Sequence, residues 1–146
     1  MKQLGIAILL SMALALTACG GDSNSNSSTI NGNWSATLSG TQDLSFNVTL
    51  TQSGSTVTVT NLSFTTSQSC FDSGAVASGT FTVTGNTGGV TTGSFQMSIQ
   101  SGSSNSNGMN QLTLQGTLTN NSITGNWTLS GTGAGCTGSG TFTMAD

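Results

Sequence analysis

Four aspartates, three cysteines and two tryptophans are nearly the whole chemical repertoire of this 146-residue chain. It contains no His, Arg, Glu, Tyr or Pro, and its one basic side chain is Lys2. Serine and threonine hydroxyls are abundant, but no base stands ready to take their protons. Nucleophilic and general acid–base catalysis therefore lack their machinery. Asp43 and Asp72 could form a carboxylate pair of the kind used in glycoside hydrolysis or hard-cation binding. Neither sits in a recognisable cation loop, so solvated loop acids are the simpler reading. Imidazole ligands are missing, and no cluster of Lys or Arg exists to neutralise phosphates, which argues against nucleic acid as a partner. The expectation is a protein that is not an enzyme, with no metal and no cofactor.

The first residues carry a different kind of chemistry. Met1-Lys2-Gln3 forms a short positive segment, and Leu4 to Leu14 is an apolar run too short to span a bilayer. A secretory signal fits better than a transmembrane helix. The run ends in Leu16-Thr17-Ala18-Cys19, which resembles the lipobox of bacterial lipoproteins. That resemblance implies cleavage after residue 18, a diacylglyceryl thioether on Cys19 and acylation of the new amine. Several acyl chains on one residue give stable anchoring where a single chain is marginal. Gly20 stands where inner-membrane lipoproteins commonly carry Asp, so the resemblance points to the outer membrane. The membrane is then a partner through the lipid alone, since cleavage removes Lys2 and leaves no basic side chain to hold anionic lipid. Residues 1–18 are read as signal peptide and 19–29 as the lipidated cysteine with a flexible Gly/Ser/Asn linker.

From residue 30 onward the composition is mostly Gly, Ser, Thr and Asn, which together make up 84 residues of the chain. Such polarity with so little charge suggests disorder by composition, but the apolar residues alternate with period two. Eight strands are predicted. They are marked by Ile30, Trp34, Ala36 and Leu38; by Leu44 to Leu50; by Val57 and Val59, then Leu62 and Phe64; and by Phe81 and Val83. The rest follow from Phe95 to Ile99, Leu112 to Leu118, Ile123 to Leu129, and Phe142 with Met144. The third changes phase near Thr60-Asn61, as a β-bulge does. Glycines recur at inward positions (Gly32, Gly79, Gly116, Gly125, Gly140), which suits tight coiling in a small sheet. Short turn signals join consecutive strands, so the fold class is all-β. The architecture expected is an eight-stranded antiparallel meander closed as an up-and-down barrel, a single domain over 30–146. A β-sandwich is the alternative.

With Cys19 committed to lipid, Cys70 and Cys136 remain as a pair in an exported protein, and a disulfide is expected. In a meander both lie in odd-to-even loops and so at the same end. That end carries the longer loops, 40–43, 66–75, 101–108 and 131–137, and the tether enters at the other. Recognition, if any, belongs at the long-loop end.

Trp34 and Trp127 each lie in a Gly-x-Trp on an inward strand. This resembles the Gly-x-Trp of lipocalins and of avidin-like barrels, both eight-stranded meanders that hold a small ligand. The likeness implies the architecture, while the stacking Arg of the one and the polar Tyr of the other have no counterpart. Two functions are compatible with the sequence. One is a lipid-anchored envelope protein with a non-catalytic surface-interaction or structural role. The other is a lipocalin-like barrel taking a small apolar or glycan ligand near Trp34, Phe71 and Trp127. Outward Thr rows such as Thr56, Thr58 and Thr60 read as ordinary strand formers on a wet face.

Overall fold

A computed structural model describes residues 29–66, 69–72, 74–88, 90–102 and 108–146. The signal peptide, Cys19 and most of the linker lie outside the described residues. Eight strands follow in order: β1 (Gly32–Gly40), β2 (Leu44–Ser53), β3 (Thr56–Phe64), β4 (Val76–Thr87), β5 (Val90–Gln100), β6 (Asn110–Thr119), β7 (Ser122–Gly131) and β8 (Gly138–Ala145). Each pairs antiparallel with the next, and β8 returns to pair with β1 from Ser35↔Ala145 to Gly40↔Gly140. The sheet is a closed up-and-down barrel. Closure removes two edges that strands without Pro or Lys could not guard.

The alternation seen in the sequence becomes inside and outside. Trp34, Ala36, Leu38, Phe46, Val48, Leu50, Phe95, Met97, Ile99, Leu112, Leu114 and their counterparts on β7 and β8 form one core cluster. Ile30, ahead of β1, is buried and plugs the short-turn end, with its N–H donating to Gln52 Oε1 at 3.2 Å.

Interior glycines do not leave empty space. A Cβ on Gly93 would fall 2.2 Å from Phe81 Cζ, and one on Gly116 would fall 2.8 Å from Phe142 Cζ. Each ring lies on the bare backbone of a glycine, so the small interior holds more aromatic volume than its circumference would otherwise allow.

The expected bulge is present in β3. Thr60 faces Thr49 and Ser63 faces Asn47, so Asn61 and Leu62 together oppose Val48, and Asn61 takes φ 52°. A second irregularity sits in β4, where the register shifts between Val83 and Gly85. Val83 departs from expectation, for it is 43% exposed. The β3–β4 ladder ends at Thr80, with Phe81 N–H donating to Ser55 O beyond it, so Val83 pairs with Gly93 of β5 but has no strand on its β3 side.

The β3–β4 seam is the weak one. It holds three register pairs, Thr56↔Thr80, Val57↔Gly79 and Thr58↔Ser78, whereas β4 and β5 pair along almost their whole length. From Val59 to Phe64, β3 runs on without β4 beside it, and Val59, Leu62 and Phe64 are accordingly only partly buried.

The ring-on-glycine packing predicts a specific double-mutant result. Gly93→Ala should cost about 1–3 kcal/mol in urea unfolding by overpacking against Phe81. The cost should shrink in a Phe81→Leu background, where the smaller side chain gives way. Additive losses would show that the two residues are independent.

Candidate functional site

The long-loop end gathers four connections, and side chains tie them to one another. Gln42 in the β1–β2 loop donates through Nε2 to Gly135 O and Thr137 O of the β7–β8 loop. That loop is joined to the β3–β4 loop by the disulfide Cys70–Cys136, with Cα atoms 5.5 Å apart. The sequence expectation for this pair holds. The β3–β4 loop is in turn tied to the β5–β6 connection twice. Asp72 Oδ1 accepts from Gly102 N at 3.3 Å, and Asn110 Nδ2 donates to Cys70 O at 2.8 Å. All four loops are therefore linked in one chain of contacts.

Asp72 is a positioning residue within this network. Its Oδ1 also accepts from Gly74 N at 3.0 Å, and Ala75 N–H donates to Asp72 O, so the carboxylate folds its own loop while gripping the next. Asp43 stands exposed in the β1–β2 loop. Among the described residues no group of three or more His, Cys, Asp or Glu side chains is gathered to hold a metal. Asn110 is 2% exposed, and its Oδ1 is buried without a hydrogen-bond partner among the described residues. Gly131 is required beside it, since a Cβ there would fall 1.9 Å from that oxygen.

The two tryptophans belong to the core at opposite ends of β1. Trp34 Nε1 donates to Ile30 O at 3.0 Å, fastening the segment that plugs the short-turn end. Trp127 Nε1 donates to Ser39 O at 3.2 Å. To reach it from β7 the indole crosses β8, where a Cβ on Gly138 would fall 3.2 Å from Trp127 Cη2. Ile30 and Ser39 are separated by the length of β1, so the rings do not face a common ligand. Both indoles have spent their one donor on backbone.

Phe71 lies where the seam parts. It is 6% exposed, and its ring stacks on Phe64 at 5.0 Å with 7° between planes. Phe64 in turn meets Phe46 edge-on at 5.6 Å. This aromatic series runs from the barrel core to the gap that β4 leaves open. Beside it is a cleft of about 380 Å³ lined by Leu62, Ser63, Phe64, Thr66, Phe71, Asp72 and Ala75. Of these the sequence singles out Phe71 as a possible ligand contact and Asp72 as a possible partner of Asp43. The others could be found only by knowing where the β3–β4 ladder stops.

The outer wall is uncharged and in register. Thr82, Ser94, Thr117, Thr124, Thr143 and Thr37 are paired neighbours on consecutive strands from β4 round to β1, all exposed.

Replacing Cys70 and Cys136 together by Ala should lower stability by about 4 kcal/mol in the chain-entropy account of a 66-residue separation. Amide exchange should then quicken at 69–72 and 132–137 while β5 to β7 keep their protection. Unchanged exchange in both loops would mean that Gln42, Asp72 and Asn110 alone hold the platform.

Comparison with known protein families, with characterised proteins and with solved structures finds no match to this chain.

Proposed function

We propose that this chain is a lipid-anchored protein of the bacterial cell envelope, held at the outer membrane through Cys19, with a non-catalytic surface-interaction role. The observation that carries the reading is the cross-tied loop platform at the barrel end opposite the tether. A mutually fastened set of loops costs little ordering entropy when something docks on it. The uncharged hydroxyl rows of the wall and the absence of any basic side chain after residue 2 fit a partner that is neither nucleic acid nor anionic lipid.

The alternative of a small ligand held between Trp34 and Trp127 is less well supported. The side chains of the interior are buried against one another, and both indole N–H groups are satisfied by backbone carbonyls.

Native mass spectrometry of the full chain, purified from its own envelope, tests both halves. The expected species begins at Cys19, carries the mass of its acyl chains, and loses them together with membrane association in Cys19→Ala. No stoichiometric small molecule should be lost on Trp127→Ala. An unacylated wild-type protein would overturn the anchoring. A reproducible interior ligand would replace the surface role with a carrier role.

A further inference from the structure

The β3–β4 seam cleft is a built feature that neither the barrel core nor the loop platform uses up. We propose that it is a binding site for a neutral saccharide. This rests on the reading of the long-loop end as the recognition face, and it is independent of the lipid anchor.

Its volume, about 380 Å³, suits a small ligand or the end of a longer one. Phe64 stands half-buried in its wall, backed by the stacked ring of Phe71, so an aromatic surface is held rigidly at the opening. Such a ring offers an apolar face to the C–H side of a sugar. Around it are hydroxyls on Ser63 and Thr66 and the carboxylate of Asp72. Asp72 is fixed in orientation by the N–H groups of Gly74 and Gly102, so ligand binding need not order it.

Charge narrows the ligand class. Asp72 is the one charged side chain lining the cleft, and no cation exists anywhere in the described domain to balance an anionic ligand. Phosphates, acidic sugars and nucleotides are disfavoured. A purely apolar ligand would strip water from the charged carboxylate of Asp72 and from the exposed hydroxyl of Ser63 and offer nothing polar in its place, which is costly. A neutral polyol with an apolar face answers both demands, because its hydroxyls can donate to Asp72.

An extended peptide adding to the free edge of β3 is the competing occupant. The Asn61 bulge breaks the regular spacing of that edge, which strand addition needs, and so favours the saccharide.

The deciding experiment uses the full chain in detergent against immobilised neutral tetrasaccharides of glucose, galactose, mannose and N-acetylglucosamine. An acidic oligosaccharide and an extended neutral peptide serve as competitors. At least one neutral saccharide should be retained, with amide shifts at 62–66 and 72–75. Ser63 is exposed on the rim, so Ser63→Trp should obstruct the cleft while leaving the core intact. It should weaken binding roughly tenfold or more with an unchanged melting temperature. Asp72→Asn keeps an acceptor for Gly74 and Gly102 but loses the charge, and should weaken binding severalfold. The proposal falls if none of the four is retained, if Ser63→Trp binds as well as wild type, or if the acidic sugar or the peptide displaces the neutral ligand. Its failure would leave anchoring intact, since acyl mass at Cys19 is read separately.

Discussion

Closure of β8 onto β1 is the constraint on which the rest of this structure depends. Eight strands make a ring whose interior is only wide enough for side chains, so every large residue must find room at another's expense. The chain meets this with glycine. Phe81 rests on Gly93 and Phe142 on Gly116. Trp127 passes across β8 near Gly138 to hydrogen-bond Ser39 O on β1. That last contact spans the closing seam from inside. It joins β7 to β1 without passing through the β8 ladder, so β8 is held both by its rungs and by a ring laid across it.

The closing seam is well paired, and the short ladder of the barrel lies elsewhere, between β3 and β4. Three rungs hold that seam. Both free edges it creates carry a bulge, at Asn61 on β3 and between Val83 and Gly85 on β4. Bulges twist an edge away from a partner strand, which is how a sheet lacking charge and proline can keep open edges from pairing with another chain. On the β3 side the gap is also filled by Phe71, brought in by a loop that is then bolted through Cys70 to Cys136. The disulfide therefore repairs the sheet as well as linking loops.

How much of this could be read beforehand follows from the range of each signal. The strands were legible because inward apolar residues alternate with outward Thr, Ser, Asn and Gln along most of their length, with Val83 of β4 an exception. The Asn61 bulge was legible because apolar residues flank it on both sides and show the phase change from Val59 to Leu62. The β4 irregularity was not, since no buried residue of β4 follows Val83 to mark a new phase. The Cys70–Cys136 bond could be expected because these two cysteines remain as a pair once Cys19 is set aside, and strand parity puts both at one end. The Asp72–Gly102 contact could not, because it joins two loops whose approach depends on how each is folded. Inward glycines were visible, but which ring lies on which glycine is settled by cross-strand register and rotamer. The seam cleft was hidden for the same reason: it exists where a ladder stops, and Val57, Val59 and Leu62 look alike in the sequence.

The even strand number carries the last step. In a meander closed by eight strands, the chain enters and leaves at one end, and all four odd-to-even connections emerge at the other. The end where the chain enters is sealed by Ile30 and Trp34, with turns too short to hold much chemistry. The far end receives every long loop, both cysteines of the disulfide, Asp72 and the open mouth of the β3–β4 seam. The N-terminal entry of the domain and the cross-tied loops are thus separated by topology. An odd strand would have put the C-terminus among the loops and left β1 no antiparallel partner with which to close.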